Sequence, residues 1–427
     1  MKNHFINIHY HKLLMSFVMI IGMLSSCSSN SSKVINIEDY VTDEIEIPDG
    51  SVLIEGIKYY FSDLHWEKEE LPNGQKSSSL VSVHGDIYVV LSKCENEEIT
   101  SLDIPSALIY KGIEYPIISI GSHAFSNCKN LNKISIPNSI TDIAQNAFSE
   151  CEALKSLSIP GSVEDFGIEC NDNLEHLELK NGIQQVYIIG GSKLTKVKLP
   201  KSVKIVNKIS GENIKEISLN KELETIKYRG LEGNSSLKEI KIPENVKEVG
   251  SYLFYECNSL TSVEILGDIR ELDATFDGCE SLKHVKLSNN IEKLEQTFYE
   301  CTALETIILP SSLKEIGYGT FKRCSNLKKI ELPKDLERIG EYAFDECSSL
   351  TQIVIPKTVN YIGTYAFTDC DLTSIKILNP VPFPERLAFG KYGYPCPLYV
   401  PAQSVYAYEN ETEAFGYYFA DRIKPIE

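Results

Sequence analysis

Residues 327–349 read LKKIELPKDLERIGEYAFDECSS. Leu327, Ile330 and Leu332 set an apolar pattern that suits a short strand with one face buried. Pro333 cannot donate to a ladder and ends the strand. A second apolar pair follows, Leu336 and Ile339, then Gly340, Ala343-Phe344 and Cys347. After 23 residues the phrase begins again at Leu350 as LTQIVIPKTVNYIGTYAFTDC. A fixed period of about 20 to 50 residues marks a solenoid, in which each unit buries its apolar side against its neighbours.

Working outward, repeat strands start at Ile99, Leu131, Leu154, Leu174, Leu194, Ile214, Leu237, Leu260, Leu282, Leu304, Leu327, Leu350 and Leu372, which makes 13 rungs over residues 99–378. Most steps are 20 to 23 residues; the first is 32, because LIYKGIEYP (108–116) is inserted, with the pattern of a hairpin. Two 22-residue rungs carry LDATF (272–276) and LEQTF (294–298), which lack the residue that is Gly340 in the complete phrase. Glycine there is expected to supply a turn of positive φ. Outer segments should be short helical or irregular pieces. Rungs within 174–236 lack the AF-x-x-C phrase, so this stretch should be helix-poor, thinner and closer to a β-helix.

The flanks depart from the period. Residues 1–26 carry Lys2, Lys12 and an apolar run of 12 (LLMSFVMIIGML, 13–24), too short to span a bilayer and suited to a signal segment. The run closes on Leu24-Ser25-Ser26-Cys27, which resembles the bacterial lipobox and makes Cys27 the expected lipidated residue. Residues 27–50 are expected to be a tether and 51–98 a β-rich N-terminal cap. Pro380, Pro382 and Pro384 break the repeat. Residues 379–427 should form a C-terminal cap, with Tyr406, Phe415, Tyr417, Tyr418 and Phe419 plugging the last rung.

The formal net charge is −18, and −20 once residues 1–26 are removed. Such a charge disfavours nucleic acid as a partner, since phosphate binding needs a basic surface.

The units I-x-I-P-x-x-V/I-x-x-I-G-x-x-A-F-x-x-C resemble the BspA-type leucine-rich repeat family of bacterial surface proteins. Ile134, Ile136, Pro137, Ala147, Phe148 and Cys151 carry the match in one unit. Ile353, Ile355, Pro356, Ile362, Gly363, Ala366, Phe367 and Cys370 carry it in another. The resemblance spans about residues 50–427. It implies an α/β repeat solenoid, curved and right-handed, with a parallel β-sheet on its concave side. It also implies a cell-envelope protein used for binding or adhesion. Envelope lipoproteins of Bacteroides-like bacteria often place an acidic pair soon after the lipid cysteine; here the first acid is Glu38, which leaves surface against periplasmic orientation open.

Cys128, Cys151, Cys257, Cys279, Cys301, Cys324, Cys347 and Cys370 recur once per rung. Their side chains should point the same way rather than at one another, which disfavours bridges. They are expected to be reduced, buried, small apolar groups. No C-x-x-C, H-E-x-x-H, G-x-S-x-G or P-loop occurs, so no metal site, cofactor or catalytic residue is expected. Gly190-Gly191-Ser192-Lys193 reads as a turn between rungs.

Strand alternation points the second, third and fifth residues of each strand outward. Those positions hold 12 lysines and 8 acids, about +4 on a body of −20. Ile308 and Val354 are the only apolar interruptions, and aromatics are almost absent. Lys196, Lys198, Lys215, Lys238 and Lys241 cluster at the middle and form the candidate binding strip. The expectation is a lipid-anchored envelope protein, at the outer membrane, that binds an acidic extracellular or envelope protein and meets the membrane only through its lipid. A non-adhesive envelope scaffold and a glycan-binding accessory protein are the alternatives. The Tyr-rich outer loops around Tyr342 and Tyr365 are the second place to look for a binding surface.

Overall fold

A computed structural model describes residues 34–36, 51–54, 57–61, 65–70, 76–82 and 89–94, and then 98–426 except 111, 127, 170–171, 384–386, 391–393 and 412–414. Cys27 and the signal segment lie outside these residues. The described chain is a β-solenoid of about 13 parallel coils with little helix.

Each complete coil contributes three rows. The L-x-x-I-x-I segments form the first, with pairs such as Lys196–Lys198 beside Glu216–Ser218 and Glu239–Ile242 beside Ser262–Ile265, all parallel. This row is broken into runs of two to four strands rather than one uninterrupted sheet. The second row, built on pairs like Leu336 and Ile339, is a parallel sheet too. It runs as two blocks of five strands, from Asp165–Glu169 to Glu248–Val249 and from Glu271–Asp273 to Tyr361–Ile362. Ile and Val alternate inward along both rows and are almost wholly buried.

The third row decides between the two expectations for the outer segments: they are turns bonded from coil to coil, not short helices. Tyr342, Phe344 and Glu346 donate their N–H groups to the carbonyls of Thr364, Ala366 and Thr368 on the next coil, at 3.1, 2.7 and 2.9 Å. Asp345 and Cys347 instead turn back to Tyr342 and Phe344. The alternation requires left-handed residues: Tyr342 has φ 56° and Glu346 φ 60°, and equivalent positions repeat this in coil after coil. A side chain there costs about 1–2 kcal/mol relative to a right-handed residue, which the inter-coil hydrogen bonds offset.

Gly340 is not one of the positive-φ residues. A Cβ on it would lie 2.5 Å from the Gly317 carbonyl carbon and 2.7 Å from the Tyr318 nitrogen. Its role is close approach of one coil to the next. The 22-residue coils that lack it still turn with positive φ, at Ala274 (44°) and Gln296 (48°).

Inside the third row the phenylalanines stack. Phe254, Phe276, Phe298, Phe321, Phe344, Phe367 and Phe389 follow one another at 5.1–5.5 Å between ring centroids, with planes within 14°. Phe389 shows that the repeat continues past Ile377, where the sequence pattern was expected to stop. Each cysteine beside this stack is buried and unbridged. The thiol also donates to a main-chain carbonyl of the preceding coil: Cys257 to Leu231 at 3.3 Å, and then to phenylalanine carbonyls, Cys301 to Phe276, Cys324 to Phe298, Cys347 to Phe321 and Cys370 to Phe344, at 3.1–3.2 Å. Where the cysteine is missing another donor takes over. Asn234 reaches the Ile209 carbonyl at 2.8 Å, and the Tyr394 hydroxyl serves Phe367.

The β-helical part sits one coil earlier than expected. The long second-row strands are Asp165–Glu169, Gln185–Ile189 and Ile205–Ser210, in coils starting at Leu154, Leu174 and Leu194. The coil from Ile214 already has a short second-row strand, Thr225–Ile226, and a turn around Leu231, so 174–236 misplaces the boundary.

At the N-terminus the inserted segment is a hairpin, Ala107–Tyr110 antiparallel to Ile113–Ile120, with Gly112 at φ 73°. The hairpin joins the cap sheet, so cap and first coil share strands. Val34–Asn36, inside the segment expected to be a tether, forms a parallel edge strand on Ala107–Tyr110. At the C-terminus Leu398–Val400 and Ile423–Pro425 extend the first row. Tyr408, Phe415 and Phe419 are buried under it as the plug, whereas Tyr406 is 77% exposed.

Candidate binding surface

The candidate lysines stand on, or in the case of Lys215 and Lys238 immediately before, three successive first-row strands, Lys196–Lys198, Glu216–Ser218 and Glu239–Ile242, on coils roughly 4.8 Å apart. Val197, Ile217 and Ile240 anchor those strands from inside, and all five lysines are exposed. Lys198 and Lys241 occupy one outer column; Lys215 and Lys238 occupy another. The structure therefore gathers them on one surface, but not as five equal charges. Lys196 is held by Glu216, its register partner on the next coil, at 2.8 Å. Lys241 pairs with Glu264 at 3.5 Å, and Lys286 approaches the same carboxylate at 3.9 Å. Among the described residues Lys198, Lys215 and Lys238 have no ion pair within 4.0 Å. The Lys196 ammonium, followed by the Ser218 hydroxyl, holds the Glu216 carboxyl below its ordinary range. The free positive charge of the strip is therefore concentrated in three side chains.

Three further features lie outside the strip. The short coils leave a step on the third side, a concavity of about 730 Å³ lined by Asp172, Ser192, Glu212, Glu232 and Glu256 among others. Ser192, from the Gly-Gly-Ser-Lys turn, donates to Asp172 at 2.7 Å and holds that carboxyl low. Sequence reasoning expects a thinner stretch here but not a concavity, because the missing outer segments are visible only as shorter periods. On the third side of the later coils Tyr318, Tyr342 and Tyr365 follow one another at 5.8 and 5.4 Å, with the Lys322 ammonium 4.6 Å from the Tyr342 ring. Arg229 similarly lies 5.3–5.5 Å from Tyr228, Tyr252 and Tyr255, a cation held by ring faces. Finally, Ile308 is 88% exposed and Val354 48%, on the same face as the lysines.

Among the described residues no group of three or more His, Cys, Asp or Glu side chains is placed to hold a metal ion, and no helix is long and apolar enough to cross a membrane.

Comparison with known proteins places this geometry. Residues 94–212, 207–297 and 273–392 match the family described as BspA type Leucine rich repeat region (6 copies). No curated protein matches the chain. Among solved structures, a leucine-rich repeat protein from Bacteroides ovatus is 23% identical, covering 73% of this chain and 99% of its own, at a TM-score of 0.40. A leucine rich cell surface protein from Faecalibacterium prausnitzii is 20% identical over 79% of this chain and 96% of its own, at 0.39. The pneumococcal vaccine antigen PcpA is 16% identical over 88% and 96%, at 0.46. With the family match running through nearly all of the coils, this chain belongs to the BspA-type leucine-rich repeat family.

Proposed function

We propose that this chain is a lipid-anchored protein of the bacterial cell surface that captures an acidic macromolecule, a host or bacterial protein, on the outward face of its first row. The observation that carries the reading is the set of exposed, unpaired ammonium groups at Lys198, Lys215 and Lys238 on adjacent coils of a strongly acidic molecule. A basic strip on an acidic body orients an acidic partner and raises its association rate. The face is open and broad, which suits a protein and not a small molecule. The anchoring half of the reading rests on Leu24-Ser25-Ser26-Cys27; the family supports a surface location.

The test is capture from an extract of envelope and extracellular proteins by the chain beginning at Ser28, which retains every described residue. Lys198, Lys215 and Lys238 changed together to Glu should abolish capture while leaving the urea midpoint within error, since exposed charges contribute little to stability. Capture by wild type should weaken with salt. Equal capture by the triple variant at low salt refutes the basic-strip reading. For the anchor, Cys27→Ala should release the protein from membranes and remove fatty-acid labelling; a variant that stays bound and labelled refutes it.

A further inference from the structure

The C-terminal end of the same face carries a different kind of surface. Two concavities of about 500 and 810 Å³ lie side by side across the coils that start at Leu304, Leu327 and Leu350. Ile308 lines the first, Val354 and Leu378 line the second, and Leu332 lines both. The ridge between them is the Lys329–Glu331 ion pair, 2.7 Å long, whose two residues line both concavities. Single exposed apolar residues need no explanation. Here two stand in one column, and each walls a concavity together with a leucine.

The charges are as one-sided as the apolar groups are aligned. Lys328, Lys329, Lys334 and Lys357 line the concavities against one acid, Glu331. Lys328 is committed to Glu305 at 2.7 Å and Lys329 to Glu331. Among the described residues Lys334 and Lys357 have no ion pair within 4.0 Å.

The spacing adds a constraint. Thr306 and Ile307 are in register with Lys329 and Ile330, so Ile308 stands level with Glu331; the next coil follows at a step of 23, as Arg338 pairs with Tyr361 in the second row, and the same step puts Val354 one coil beyond Glu331. Two coils at about 4.8 Å each separate Ile308 from Val354 by roughly 9.6 Å. A polyproline II segment has three residues per turn and a rise of about 3.1 Å, so its positions i and i+3 face one side about 9.3 Å apart. A β-strand would instead present one side at about 6.7 Å intervals.

We infer that this groove binds an extended, acidic protein segment in a polyproline II-like conformation, with apolar side chains three residues apart seated beside Ile308 and Val354 and its carboxylates met by Lys334 and Lys357. The inference rests on the reading of the first-row face as the capture surface, and supplies it with a subsite and the chemistry of the bound segment. Acidic segments with too few apolar residues to fold alone are available for such docking, and extended ones lose little chain entropy on binding.

The full chain in detergent micelles is used to select from a displayed library of random 12-residue peptides. Ile308→Asp with Val354→Asp, Lys334→Glu with Lys357→Glu, and the triple Lys-to-Glu variant of the middle strip are tested in parallel. All of these positions are exposed, so each variant should keep the wild-type urea midpoint. Selection should enrich peptides rich in Asp and Glu with large apolar residues three apart. Binding of an enriched peptide should fall at least tenfold in each groove variant, change less than twofold in the middle-strip variant, and weaken with salt. No enrichment, enrichment without acids, or unchanged binding in Ile308→Asp with Val354→Asp overturns the groove. If groove binding holds while the middle-strip variant still captures acidic proteins, it is the basic-strip reading that fails. If the middle-strip variant alone loses binding, the strip stands and the groove fails.

Discussion

Changing Cys347 tests what the cysteine ladder is for. The Cys347 thiol is wholly buried and donates to the Phe321 carbonyl at 3.1 Å. Cys347→Ala removes one buried group about the size of a methylene, which costs about 0.8 kcal/mol in transfer energy. A residual void of roughly 25 Å³ adds about 0.6 kcal/mol. The lost S–H···O bond contributes up to about 0.5 kcal/mol, at the low end for a weak donor. The Phe321 carbonyl is not orphaned, because it also accepts the Cys324 N–H at 3.0 Å. The expected loss is therefore about 1.5–2 kcal/mol. Cys347→Ser separates two roles for the thiol. If it is only a small apolar group, a buried hydroxyl adds a desolvation penalty of about 1–3 kcal/mol and Ser is worse than Ala. If it is a donor, a small shift lets the hydroxyl make the same bond and Ser is better than Ala. The geometry predicts the second order. The assay is urea unfolding of the full chain, comparing midpoints at unchanged slope, repeated at Cys301 and Cys324. Serine variants consistently less stable than alanine variants would falsify the donor role.

Burial pushes the Cys257 and Cys370 thiols up to about 12 from an ordinary value near 9.0. A raised folded-state value means the stabilisation is fully present below pH 9 and is lost as the pH climbs toward 12, so the urea midpoint should be level from pH 7 to 8.5 and fall above pH 9; a midpoint that rises there contradicts the burial. Alkylation of Cys301, Cys324 and Cys347 should need denaturant, read by mass spectrometry with and without urea. Gly340→Ala forces a Cβ against the Gly317 backbone and should cost about 2–3 kcal/mol, whereas Gly278→Ala, at φ 73° with open space around it, should cost only about 1 kcal/mol. Equal losses would mean that close approach is not what Gly340 provides. Tyr394→Phe deletes the hydroxyl that serves Phe367 and receives the Cys370 N–H at 3.0 Å; it should cost about 1–3 kcal/mol by leaving that amide unpaired, measured by hydrogen exchange of the last coils.

The period, the coil starts and the buried faces were legible because they rest on apolar spacing, which burial enforces directly. The rest depended on where backbone hydrogen bonds go. Ala343-Phe344 looks like a helical turn in sequence. The left-handed residues Tyr342 and Glu346 carry no glycine signal, so nothing reveals that they and Phe344 bond to the next coil. Gly340 was recognisable as required, but positive φ and close approach both select glycine, and sequence cannot tell them apart. On the face itself, the outward lysines were predictable from alternation. Which of them are neutralised was not, because Lys196 meets Glu216 only through the 20-residue register. The groove needed the register as well, since Ile308 and Val354 are 46 positions apart in the chain.

Coils of 20, 22 and 23 residues pair with their neighbours at a step equal to their own length, as at Ser156 with His176, Glu271 with Lys293 and Glu315 with Arg338, apart from one bulge in the second row between Val186 and Tyr187. The difference in length is taken up outside the sheet rows. Insertions and deletions can therefore accumulate on the third side while the lysine-bearing face keeps its spacing. In evolutionary terms the molecule separates a surface free to change shape from one whose spacing is fixed by construction, and lineages can lengthen, shorten or duplicate coils without redrawing the lysine-bearing face.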